Sequence, residues 1–168
     1  MKKTIFLFVF AVILYGCGGK SDTEYLETAE QSIKNNKIPE GVAAYEALVN
    51  EYPESPSAPK ALFEIATLYQ NKMISNIPPE QSLEKSVGYF RKVYEDYPDS
   101  KEAPKALFMS GFIRANEMQN FGEATKIYKL FLETYPKHEL AAAAKQELDN
   151  MGLSPEEILQ KKTASQQL

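Results

Sequence analysis

One cysteine, one histidine, no tryptophan and only two arginines close off several kinds of chemistry in this chain of 168 residues. Cys17 has no second cysteine with which to form a disulfide, and one His plus one Cys do not make a zinc site. His138 has no Ser or Cys in a catalytic arrangement around it, and is read as ordinary surface chemistry beside a helix start. Arg91 and Arg114 are the only arginines among 19 basic residues, so two-pronged recognition of phosphate is poorly supplied. The formal charge is −4, and loss of Lys2 and Lys3 with a signal segment would take it to −6. Proteins that grip nucleic acid by neutralising phosphates carry the opposite sign, so no nucleic acid is expected as a partner. Gly-Gly-Lys-Ser at 18–21 is not a phosphate loop, because the motif needs a glycine five residues before Gly19 and Leu14 stands there. The carboxylates Glu51 and Glu54, and Glu95, Asp96 and Asp99, fall at polar helix ends with nothing to bury them, as solvated faces do. No cofactor, metal or catalytic residue is expected, and the chain does not read as an enzyme.

What is present begins with an address. Lys2 and Lys3 precede an apolar run over 5–14, which as a helix spans about 15 Å, half of a bilayer core. A charged start, a short apolar core and a small residue before a cut describe a secretory signal over 1–16. Leu14-Tyr15-Gly16-Cys17 resembles the bacterial lipobox, in which a Leu and a small residue precede a lipidated Cys. The resemblance implies cleavage before Cys17, a diacylglyceryl thioether on its sulfur and acylation of the new amine. A plain secretory signal with a chance Cys at its end is the competing reading; the only Cys of the chain falling at the cut favours lipidation. Several acyl chains, at about 0.8 kcal/mol per buried CH₂, hold a protein stably on a membrane. Gly18 is not the Asp that keeps enteric lipoproteins at the inner membrane. By that analogy the expected location is the periplasmic face of an outer membrane, or the plasma membrane of a cell without one. Residues 17–22 then form the lipidated tether, and Gly18 to Asp22 reaches at most about 17 Å.

The body of the chain repeats itself. Tyr-Pro-Glu-Ser-Pro-Ser-Ala-Pro-Lys-Ala-Leu-Phe at 52–63 returns at 97–108 with nine of twelve positions identical, and a third copy starts at Tyr135. The Tyr-Pro pairs are 45 and 38 residues apart. Before each lies a run with helical apolar spacing: Val42, Tyr45, Leu48, Val49 and Tyr52; then Leu83, Val87, Phe90, Tyr94 and Tyr97; then Ala124, Ile127, Tyr128, Phe131 and Tyr135. Proline, lacking an N–H and restricting the residue before it, stops each helix. Ser55 and Ser100 are the expected N-caps of the next helices, with Pro59 and Pro104 in their first turns. The partner helices carry Leu62, Phe63, Ala66 and Tyr69, then Leu107, Phe108, Gly111 and Phe112. The unit is a helical hairpin, repeated.

This arrangement resembles the tetratricopeptide repeat (TPR), two helices over about 34 residues with small and aromatic residues at set positions. The third unit supplies Phe108, Gly111, Ala115, Ala124, Tyr128, Phe131 and Pro136, and the first Tyr25, Ala29, Gly41, Tyr45, Leu48 and Pro53. The second supplies Phe63, Ala66, Phe90, Val93 and Pro98, with Ser86 where Ala is usual. Ten residues from the helix-ending Pro to the next aromatic, where the plain repeat has six, predict about one extra helical turn per joint. Seven further residues of the longest unit are placed around Met73–Ser82, where Pro78-Pro79 forbids continuous helix. The elongated joint is similar to that of the TPR lipoproteins of the outer-membrane protein assembly machinery, and equally to the periplasmic TPR partner of the Tol-Pal system.

The fold class is therefore all-α, an α-solenoid of about three TPR-like hairpins over 23–138, with capping helices and a frayed tail over 139–168. In that tail, Gly152 ends one helix and Ser154-Pro155-Glu156-Glu157 opens another with a capping box, running to about Lys162. Stacked hairpins offer a concave surface lined by the first helix of each unit. The resemblance places Leu26, Glu30, Ile33, Glu64, Leu68, Asn71, Met109, Ile113 and Asn116 on that groove. It implies a membrane-anchored scaffold that binds other envelope proteins there, in outer-membrane protein assembly. The alternative is an adaptor for Tol-Pal or peptidoglycan work, and an envelope enzyme is the least favoured reading.

Overall fold

A capping box opens the array one residue earlier than the expected boundary. The Ser21 hydroxyl accepts from the Glu24 N–H at 3.2 Å, and the Glu24 carboxylate accepts from the Ser21 N–H at 2.7 Å. Helix α1 therefore runs Asp22–Lys34. It is followed by α2 (Ile38–Glu51), α3 (Ala58–Gln70), α4 (Pro79–Asp96), α5 (Ala103–Phe112), α6 (Phe121–Thr134), α7 (Ala141–Asn150) and α8 (Pro155–Ser165). The structure is a computed structural model and describes residues 19–165. Cys17 and the signal segment, and the last three residues, lie outside the described residues. Among the described residues there is no strand, and no helix is long and apolar enough to cross a membrane.

The first helix of each later hairpin is apolar on two sides because it closes two cores. In α3, Ala58, Ala61, Ile65 and Tyr69 join Ala29 of α1 and Tyr45 and Leu48 of α2. Leu62 and Ala66 of the same helix face the other way, into a second core with Val87, Phe90 and Val93 of α4 and Ala106 of α5. α5 repeats the device: Leu107 enters a third core with Ala124, Tyr128 and Phe131 of α6 and Ala144 of α7. The repeated Ala-Leu pair at 61–62 and 106–107 is thus one residue for each neighbouring core, as a solenoid requires. Ser86, the departure from the usual Ala, is fully buried and donates to the Ala66 carbonyl at 2.8 Å; Ser82 one turn earlier donates to Tyr69 at 2.6 Å. Both polar groups are satisfied between α3 and α4, which removes the cost of burying them.

Within each of the first two hairpins the turn is a Schellman motif. The N–H of Lys37 reaches the Ser32 carbonyl at 2.8 Å around Asn36, whose φ is 59°, and Met73 reaches Leu68 at 3.0 Å around Lys72, φ 56°. The link over 71–78 ends at Pro78, and no continuous helix crosses the proline pair, as expected; Pro79 opens α4, so residues 79–82 of the expected stretch are helical. In the third hairpin, α5 widens into a π-helical turn over Ile113–Glu117, with Met118 N–H bonding the Ile113 carbonyl at 3.0 Å.

The joints between hairpins differ from expectation in one respect. The extra residues do not lengthen a helix, and Ser55 and Ser100 are not the residues next to the helices they were expected to cap. Two successive tight turns occupy each joint instead: Ser55 N–H bonds the Tyr52 carbonyl and Ala58 N–H bonds the Ser55 carbonyl, both at 3.0 Å. The second joint repeats this at Tyr97, Ser100 and Ala103, and the third at Tyr135, His138 and Ala141. The side chain at the middle position ties the second turn. Ser55 Oγ accepts from Ser57 at 3.0 Å, Ser100 Oγ from Ala103 at 3.2 Å, and His138 Nδ1 from Leu140 at 3.1 Å. The lone histidine is the third copy of a turn-stabilising acceptor.

At the C-terminal end α7 closes the third core through Ala144, with Leu140, Leu148 and Met151 packed against it. Gly152 (φ 77°) turns the chain, and the capping box forms between Ser154 and Glu157. α8 continues to Ser165, beyond the expected end near Lys162, and leaves Leu159 exposed.

Candidate functional site

The first helices of the hairpins share one face, and bonds between them define it. Glu30 of α1 accepts from Lys60 Nζ of α3 at 2.6 Å, and Gln70 of α3 donates to Glu117 beyond α5 at 3.0 Å. Beside Lys60 a cavity of about 340 Å³ opens between α3 and α5, lined by Phe63, Glu64, Lys101, Glu102 and Lys105. Farther along, Arg114 makes a two-pronged pair with Glu84, at 2.6 and 2.8 Å.

The nine residues expected on the groove divide into three groups. Glu30, Asn71 and Asn116 are exposed and available to a partner. Leu26, Ile33, Glu64 and Met109 are partly buried; Leu26 and Ile33 rest on the first core and Met109 on the second. Leu68 and Ile113 are corrections: at 5% and 0% exposed they fill the interior, where a helix apolar on two sides must put them. The nine expected residues are apolar, acidic or amide, and leave out the basic members of the face. Lys60, Lys101 and Lys105 alternate with Glu30, Glu64 and Glu102, so the face carries both signs. Lys60 and Lys105 hold the same position in the repeated Ala-Pro-Lys-Ala stretch, and that recurrence was the available signal; Lys101 stands where the first copy has Pro56.

Glu64 is the perturbed carboxyl of this face. Burial raises its pKa above the ordinary 4.5, and the carboxylates of Glu30 and Glu102 add to the rise while Lys60 opposes it. A raised folded-state value means that the group favours the folded chain below its ordinary pKa and loses that contribution as pH rises through the folded value. Glu64→Gln is accordingly expected to raise the thermal midpoint at pH 7 and to make no difference near pH 4. Melting both proteins across that range by circular dichroism checks it; an unchanged midpoint at pH 7 would remove the burial argument. Burial first, and then the carboxylates of Glu64 and Glu30, push the Tyr45 hydroxyl up, away from ionisation.

A larger cavity of about 680 Å³ lies at the C-terminal end, between the π-helical turn and the α7–α8 turn, and Asn116 lines it with Phe121 and Gln146. Among the described residues no group of three or more His, Cys, Asp or Glu is placed to hold a metal ion. What the shared face offers chemically is recognition: alternating charges, partly exposed apolar side chains and the exposed amide of Asn71.

A tetratricopeptide-repeat family model matches residues 60–100 and 105–138. The matched stretches are α3–α4 and α5–α6 with their following joints, and α1–α2 repeats their geometry outside the match. Residues 60–138 therefore carry TPR repeats, which support a role as a scaffold for protein–protein interaction. No curated protein matches the chain.

Proposed function

We propose that this TPR scaffold is held on a bacterial envelope membrane by lipid on Cys17, and that it presents its first-helix face to other envelope proteins. The observation that supports the anchor best is how close the array begins to the cysteine. The Tyr52 hydroxyl donates to the Lys20 carbonyl at 2.8 Å, and the Ser55 hydroxyl to Asp22 at 2.6 Å. Fixed backbone therefore starts three residues after Cys17, and a reach of about 10 Å separates the lipid from the first hairpin. A scaffold so tethered works at the membrane surface rather than at a distance from it. Outer-membrane protein assembly is the setting this reading favours, with Tol-Pal or peptidoglycan coordination as the second.

Cys17→Ala is expected to release the protein from the membrane fraction in the producing cell, because the protein loses all its acyl chains together. Fractionation with and without salt checks it, and unchanged attachment would end the lipid-anchor reading. Crosslinking in cells from Met109 or Glu30 separates the two settings, by capturing assembly components in one case and wall-associated proteins in the other.

A further inference from the structure

The joints build a second surface, which meets the first-helix face at Lys101 and Glu102. Each joint tyrosine donates its hydroxyl to the backbone of the preceding joint: Tyr97 to the Pro53 carbonyl at 2.9 Å, and Tyr135 to the Pro98 carbonyl at 3.3 Å, as Tyr52 does to Lys20. This ladder draws consecutive joints together, and between the first two it leaves a notch of about 590 Å³. Its floor is apolar, made by Pro56, Pro59, Tyr97 and Pro98.

The rim is acidic. Glu54, Asp96, Asp99 and Glu102 surround the floor, against a single cation, Lys101. Lys101 is 87% exposed and only 3.8 Å from Glu102, a loose surface pair. The charges of Asp96 and Glu54 reach the Tyr97 hydroxyl, adding to the burial that already holds it against ionisation. Hydrogen-bond donors are scarce here. The prolines have no N–H, the Tyr97 hydroxyl is committed to Pro53 and that of Ser55 to Asp22. A pocket of acceptors over an apolar floor complements a segment that brings donors, positive charge and an apolar side chain together.

We propose that this notch docks a basic segment of a partner protein, one in which Lys or Arg flank an apolar residue. The apolar side chain lies on the prolines and Tyr97, and the cations meet Glu54, Asp96 and Asp99. Nucleic acid and anionic lipid are repelled by the same rim. The inference depends neither on lipid at Cys17 nor on the first-helix face.

The test uses the full chain in neutral detergent and a fluorescein-labelled, end-blocked peptide, Lys-Leu-Arg-Pro-Leu-Lys, followed by fluorescence anisotropy. Saturable binding is expected, weakening by about tenfold or more between about 50 and about 500 mM NaCl as the charges are screened. The double change Glu54→Lys with Asp99→Lys is expected to weaken it by about tenfold or more, and Glu156→Lys on the exposed side of α8 to leave it unchanged. Both notch positions are exposed, and helix content by circular dichroism shows that the fold survives; if it did not, Glu54→Gln with Asp99→Asn takes its place. No saturable binding, equal binding of the peptide with Gln at its cationic positions, or undiminished binding by the folded double variant would each overturn the proposal. Because the readout is peptide binding in solution, its failure leaves membrane attachment and partner capture by the other face untouched.

Discussion

Replacing Phe90 with Ala is expected to destabilise the protein by about 3–5 kcal/mol, the usual cost of emptying a large aromatic site. Phe90 is 1% exposed, at the centre of the second core, and meets Phe63 edge-to-face with ring centres 5.0 Å apart. That core is the middle one: α3 and α5, which close it, also close the first and the third. A cavity there weakens both interfaces of an array whose stability is a sum of neighbour contacts. Against a total of about 5–15 kcal/mol, the loss brings the chain near unfolding at ordinary temperature. Urea titration followed by helix signal measures it, with the midpoint moving and the slope holding if unfolding stays all-or-none. A loss below about 1.5 kcal/mol would mean that the middle core collapses around the gap, against the packing described.

Gly111→Ala should cost about 1–3 kcal/mol, the range of an overpacked core. An added Cβ would lie 2.9 Å from Tyr128 Cε1 and 3.1 Å from Cδ1 and Cζ, against a rigid ring that is 0% exposed. Tyr128 is also held by the edge of Phe108, at 5.5 Å between centres, so the ring has little room to retreat. The gain in helix propensity, about 1 kcal/mol, does not offset that displacement. Gly88, inside α4, is the internal control. A Cβ there meets nothing within 4 Å. Gly88→Ala is therefore expected to be neutral or stabilising, and the two variants compared in one urea series separate ring crowding from propensity. Equal effects would show that the Tyr128 ring yields more readily than its surroundings suggest.

Much of this architecture was legible in the chain, for reasons that differ from element to element. The hairpins could be read because apolar side chains recur at helical spacing and because Tyr-Pro stops a helix wherever it falls. The C-terminal capping box and Gly152 were equally plain, being local chemistry over four residues. The Ser21–Glu24 box has the same signature and was legible too, but stood inside what was read as tether. Lys72 and Gln119 gave no sign of adopting a left-handed backbone, with φ of 56° and 52°, since neither is Gly or Asn. The π-helical turn at Ile113–Glu117 left no mark in the periodicity.

The candidate face was less legible than the fold. Family positions located the helices that form it, but Leu68 and Ile113 proved to be interior, because each first helix serves two cores and apolar side chains on either flank are claimed by packing. Its lysines were hidden in plain view within the repeated joint.

By itself the sequence determined the parts that depend on near neighbours: paired helices, and a joint used three times. Tertiary structure alone decided what those joints do. The Tyr97 hydroxyl meets the Pro53 carbonyl across 44 residues, and Tyr52 and Tyr135 reach Lys20 and Pro98 across 32 and 37. No local rule contains those bonds, because they exist only when one hairpin has stacked on the next. The notch they leave, and the acid around it, are consequences of that stacking. Helix and turn follow from steric and hydrogen-bonding limits within a few residues, whereas burial and surface charge follow from which distant residues the stack brings together.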